Sequence, residues 1–165
     1  MRTQQRRPVA RSFRHSPIGA ALLAGWVAGT VDIGAAAVIF AVHPAVIMQA
    51  IASGVLGRAA YFGGAASATA GLLLQWLMSW IIAAVYVAAA RPWPSLGQHW
   101  TRCGLLYGVV VFGVMNYVVV PLSAAYPRHP FTPRTLLESL LAMLLFGVLV
   151  AFFARRTWLR PAAEQ

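Results

Sequence analysis

The chain contains no lysine and only three acids, Asp32, Glu138 and Glu164, in 165 residues. Charged residues reach 10% of the sequence, against roughly a quarter in ordinary soluble domains. With hydrophobic residues at 60%, a water-soluble globular domain is excluded. A single cysteine, Cys103, excludes an intramolecular disulfide and a cysteine-based metal site. No G-x-S-x-G, H-E-x-x-H or Walker pattern occurs, so no catalytic residue is predicted. His15, His43, His99 and His129 lie at span ends or in loops. A haem-binding bundle needs axial ligands inside facing helices, and no zinc-ligand spacing is present, so neither a cofactor nor a metal is expected.

What the chain does have is arginine and long apolar runs. Thirteen arginines give a formal charge of +10. On a soluble protein that balance would suggest nucleic acid. Here the arginines sit mainly outside the apolar runs and act as topology markers, so no nucleic-acid partner is predicted. Four stretches, about 17–42, 64–90, 103–125 and 135–154, meet the roughly 20 apolar residues a bilayer requires. Their runs are continuous rather than alternating, which favours helices over barrel strands. The predicted fold class is an all-α integral membrane protein of four transmembrane helices. Residues 1–16 form an Arg-rich tail and 155–165 a second one.

Local signals support these limits. Ser16-Pro17 offers an N-cap followed by proline at the first helical position. Thr135-Leu136-Leu137-Glu138 reads as a capping box for the last helix. Pro92 and Pro94 end the second helix, and Pro127, Pro130 and Pro133 keep the third connection irregular. With both termini in the cytoplasm, ten arginines fall inside and only Arg58, Arg128 and Arg134 outside. The first run is too long for a signal-peptide core and carries an Asp. The acid-free, Arg-rich start also fits a mitochondrial transit peptide, but the expected location is a bacterial inner membrane.

Between the first two spans, residues 43–63 cannot cross a membrane. Pro44 opens a short helix over about 45–57. Ile47, Ile51 and Val55 recur along one side, and Gln49, Ser53 and Gly57 along the other. This predicts an interfacial or re-entrant helix with Gln49 and Ser53 on its polar face. It reads either as a plain connector or as a lid over a pocket.

Polar residues also coincide in depth. At about 1.5 Å per residue, Asp32, Gln75 and Asn116 each fall a few ångströms to the same side of the middle of their spans. Small residues flank them, as in the stripe Gly64, Ala68, Gly71, Gln75 and Ser79. A carboxylate in hydrocarbon costs about 2.5–3.5 kcal/mol on insertion scales, so Asp32 should face the interior and be paired or protonated. Arg58 is its expected cationic partner, with Thr30 and Asn116 as hydrogen-bond donors. That pairing reads as a structural clasp; the competing readings are a proton relay and a substrate or ion site. The Leu- and Phe-rich fourth helix is predicted to be the most lipid-exposed. Trp93 and Trp100 read as interfacial anchors, and Trp76 and Trp80 as packing or lipid-facing residues.

The pattern Gly29-Thr30-Val31-Asp32-Ile33, then Gln49-Ala50-Ile51-Ala52-Ser53-Gly54-x-x-Gly57-Arg58, with Tyr107-Gly108, Met115-Asn116-Tyr117 and Pro121-Leu122-Ser123, resembles a group of small four-span bacterial inner-membrane proteins. More loosely, the span layout resembles the YagU-like proteins. The resemblance covers roughly residues 18–156 and implies a four-helix membrane fold without an established activity or catalytic residues. Three functional classes follow. The first is a non-enzymatic bundle that binds a lipid or a partner membrane protein, or supports assembly of a complex. The second is a homo-oligomeric transporter or channel subunit with Asp32, Gln75 and Asn116 along its path. The third, an intramembrane enzyme using Asp32, lacks a visible nucleophile–base pair.

Overall fold

The computed structural model describes residues 17–93, 95–125 and 132–155. Every regular element among them is helical, and four stretches of 22, 27, 23 and 23 residues are long and apolar enough to cross a membrane. The chain is a multi-pass membrane protein. Its elements are α1 (Pro17–Ile39), α2 (Pro44–Leu56), α3 (Gly64–Ala90), α4 (Ser95–Gln98), α5 (Trp100–Val114), α6 (Val120–Leu122) and α7 (Pro133–Arg155). A 3-10 turn, Gly57–Tyr61, follows α2, and a π turn, Met115–Val119, joins α5 to α6 within the third span.

Backbone chemistry explains where these limits differ from the apolar runs. The first run continues to Val42, yet α1 stops at Ile39. Ala41 takes a left-handed conformation (φ 51), with its N–H on the Val38 carbonyl and the Val42 N–H on that of Ala37. This is a Schellman ending built without glycine, which leaves no mark in the hydropathy. The third span begins at Trp100 rather than Cys103, since the Cys103 N–H bonds back to the His99 carbonyl. Near its other end, Pro121 has no N–H to return to the preceding turn, and the helix widens into the π turn just before it.

The last helix corrects the expected capping box. It starts at Pro133, and its cap is Thr132. The Thr135 N–H donates to Thr132 Oγ1 at 3.2 Å while the Thr132 N–H donates to Thr135 Oγ1 at 3.1 Å. The reciprocal bonding is that of a capping box, shifted three residues toward the N-terminus with threonine in the returning role. Glu138 therefore lies too far along to cap. It accepts instead from Arg134 Nε at 2.9 Å, one turn back on an exposed face. The Ser16 cap expected for α1 lies outside the described residues.

The spans pack in the order α5, α7, α1, α3, with α2 set mainly against α3 and touching α1. Long tyrosines close the remaining side. Tyr107 Oη donates to the Ile82 carbonyl at 2.7 Å, and its ring meets Tyr86 edge-on with centroids 5.0 Å apart. The core sets small residues, Ala24 and Ala28 from α1 and Ala83 from α3, against Tyr86 from α3 and Phe146 and Val150 from α7.

The fourth span is thus not the most exposed one. Only 11% of the third span's most apolar stretch is buried, against 22% in α7. Gly147 explains the reversal. A Cβ there would collide with the backbone of Gly104 and Gly108 on α5, so α5 and α7 touch backbone to backbone. One glycine on a leucine-rich helix is enough to seat it in the centre when it meets two on its neighbour.

Candidate functional site

The middle of the bundle holds one side-chain bond between spans that involves a carboxylate. Asp32 Oδ2 accepts from Gln75 Nε2 at 2.8 Å, joining α1 to α3. Both residues line a small cavity of about 30 Å³ together with Met78, Ser79 and Ile82 of α3, Val111 and Met115 of the third span, and Met143 and Phe146 of α7. All four spans contribute. Roughly 10–15 Å³ accommodates a water centre, so the space suits a water or two and no larger solute. Asp32, Gln75 and Ser79 are its polar lining; methionine and branched or aromatic side chains fill the rest.

Neighbouring turns add two more bonds between α1 and α3. Trp80 Nε1 donates to the Leu22 carbonyl at 3.1 Å, and Trp76 Nε1 donates to Thr30 Oγ1 at 3.3 Å. Both tryptophans therefore fasten α3 to α1 through indole N–H groups that would otherwise be unsatisfied in hydrocarbon.

Three expected members of the polar cluster lie elsewhere. Thr30 is two residues from Asp32, about 200° around the helix, and its exposed hydroxyl donates to the Trp26 carbonyl at 2.8 Å. Asn116 Nδ2 donates to the Phe112 carbonyl of its own helix at 2.8 Å, where the π turn disturbs the backbone ladder. Met115, its neighbour, enters the cavity in its place. Arg58 is exposed in the 3-10 turn and is not among the partners of Asp32. The ion pair formed among the described residues is Arg134–Glu138. Two features account for the separation. Asp32 lies about 10 Å below the end of α1, and α2 carries the Arg58 turn over α3 rather than over α1.

The short helix is built inside out relative to a water-facing connector. Gln49 Nε2 donates to the Gly64 carbonyl at 3.1 Å, and Ser53 is buried, with its hydroxyl on the Ala50 carbonyl at 2.6 Å. Val55, Leu56 and Phe62 face outward. The polar face expected at an interface is spent on carbonyls, Gln49 on α3 and Ser53 on its own helix, an arrangement suited to apolar surroundings. Gly71, about 10 Å along α3, permits it, because a Cβ there would strike the Met48 carbonyl. Hence α2 lies along the flank of α3 and does not cap its end. His43 serves as its N-cap, with Nδ1 accepting from the Ala45 N–H at 3.2 Å.

The sequence reading missed the methionines of the cavity, and on α7 nothing in the pattern singled out Met143. Ser79 was legible, since the stripe through Gly71 and Gln75 carries it onto the same face. Among the described residues, no cluster of three His, Cys, Asp or Glu side chains forms a metal site. At the opposite end, Arg155 stacks its guanidinium 4.8 Å over the Trp100 ring. Comparison of this chain with protein-family models, with curated proteins and with solved structures gives no match.

Proposed function

We propose that this chain is a non-enzymatic membrane bundle that works by binding a lipid or a partner membrane protein at its outer surfaces, not by passing a solute through its centre. The observation that carries this reading is the small size of the polar centre: Asp32 and Gln75 bond each other inside a cavity of about 30 Å³. A transport path needs polar groups from several helices along a continuous opening. Of the three residues expected to line one, Asn116 turns to its own backbone. Asp32 then acts as a clasp, satisfying Gln75 and fixing the register of α1 on α3. The arginine bias supports a bacterial inner membrane with both termini in the cytoplasm. The exposed third span offers a face for a partner or a second copy.

The test is ion and proton flux in proteoliposomes loaded with a pH-sensitive dye. Vesicles holding the wild-type chain, the Asp32→Asn variant and no protein should leak at equal rates. A flux present in the wild type and lost in Asp32→Asn would overturn the reading in favour of a transporter or channel subunit.

A further inference from the structure

We infer that the groove between the start of α1 and the end of α3 holds one acyl chain of an anionic phospholipid, with Arg91 receiving its phosphate. This rests on the binding reading above and names the ligand class and its site. The groove measures about 390 Å³, more than ten times the central cavity, and is open to the outside. Its walls include Ile18 and Leu22 on one side and Trp80, Ala84 and Ala88 on the other, with Arg91 at the mouth. The Trp80 ring N–H in that wall is already spent on the Leu22 carbonyl, so the floor presents carbon.

Length and charge select the occupant. From Trp80 to Arg91 the groove follows α3 for about 16 Å, close to the roughly 15 Å depth of one leaflet's hydrocarbon. Arg91 lies just past the last residue of the span, where phosphates of that leaflet sit. Ala84 and Ala88, one turn apart, leave the room that a chain takes. This end of the bundle also carries Arg102 and Arg155, and among the described residues no carboxylate lies there: Asp32 is bonded in mid-span and Glu138 is at the opposite end. An anionic headgroup meets a field of one sign, and basic sites between membrane helices bind such headgroups.

The experiment uses the full chain in nanodiscs of equal parts phosphatidylglycerol and phosphatidylcholine, extracted into mild detergent and weighed by native mass spectrometry. One retained lipid per chain is expected, with phosphatidylglycerol favoured about fivefold, the effect of one arginine on a headgroup of net negative charge, since choline offsets the same phosphate in phosphatidylcholine. Arg91→Gln should cut that preference to no more than twofold while leaving a lipid bound. Ala84→Phe, which fills the groove, should abolish retention of both lipids; Ala88→Phe serves equally if the first variant fails to melt cooperatively. Equal retention of the two lipids overturns the proposal. So does a preference that survives Arg91→Gln, or a lipid that survives both Phe variants. A wild-type dimer split by Ala84→Phe would assign the groove to a second copy and also overturn it. An Asp32-dependent flux would reject the binding reading without altering these ratios, so the two failures are separable.

Discussion

The two helix pairs at the heart of the bundle share close glycine packing but differ in the polar bonds added to it. Where α5 meets α7, Gly104, Gly108 and Gly147 bring backbone against backbone. Where α1 meets α3, Gly25 likewise rests on the backbone of Ser79 and Trp80, and side chains bridge the helices as well: Asp32 to Gln75, Trp76 to Thr30 and Trp80 to the Leu22 carbonyl. Lipid tails are as apolar as leucine, so association between spans depends on close packing or on polar bonds rather than on the hydrophobic effect. The α5–α7 seam rests on packing, and the α1–α3 seam combines packing with polar bonds. The first tolerates no added volume and is indifferent to polarity. The second has no room for a side chain at Gly25 either, and it also couples its polar members in pairs.

The largest effect should follow from adding volume to the glycine seam. Gly147→Val must push α7 away from the α5 backbone, and we expect a loss of about 3 kcal/mol or more, at the upper end of overpacking costs. Unfolding of the purified protein in mixed detergent micelles measures it; a loss under about 1 kcal/mol would mean the seam is looser than described. Gly71→Val should be less costly globally, about 1–3 kcal/mol, because α2 can lift off while the four spans stay together. Hydrogen exchange should then rise across residues 44–56 and remain low in α7. Uniform exchange over the whole chain would show instead that α2 is integral to the bundle.

The side-chain seam is sharpened by a double-mutant cycle. Gln75→Leu leaves the Asp32 carboxylate without its donor, for about 1–3 kcal/mol, whereas Asp32→Leu with Gln75→Leu should recover part of that loss. A coupling of about 0.6–1.7 kcal/mol is expected, the range for hydrogen bonds between membrane helices. Asp32→Asn with Arg58→Gln, by contrast, should be additive, since the two side chains are not partners. A coupling of comparable size there would restore the ion pair that the fold separates. The smallest effect belongs to the exposed Arg134–Glu138 pair: Arg134→Gln should leave the melting temperature unchanged within error, as expected of a surface ion pair.

The two seams also differ in how well they can be read without coordinates. Four spans and a short helix follow from composition and run length, and Gln75 follows from sharing a depth and a small-residue stripe with Asp32. Depth alone does not give direction around a helix, and this is where Thr30 and Asn116 departed. Thr30 lies at the right level on the wrong face, and the π turn ahead of Pro121 rotates the third span so that Met115 enters the cavity. The glycine seam was harder still. Gly147 is alone in a leucine-rich helix, and its significance appears only when Gly104 and Gly108 are seen opposite. The polarity of α2 was visible as a pattern, but a polar face can turn toward water or toward carbonyls of another helix, and periodicity does not distinguish them.

A closed polar centre is the claim on which the binding reading depends, and thiol accessibility at Ser79 tests it most directly. Ser79 lines the cavity beside Asp32 and is 1% exposed. In a Cys103→Ala background, Ser79→Cys changes one atom and leaves the Asp32–Gln75 bond in place. With a charged, water-soluble thiol reagent supplied on both sides of the membrane, the account predicts no labelling of the Ser79→Cys variant over a period that fully modifies an Arg58→Cys control. Labelling at a rate near that of the control would contradict it, because water and ions would then reach the centre of the bundle.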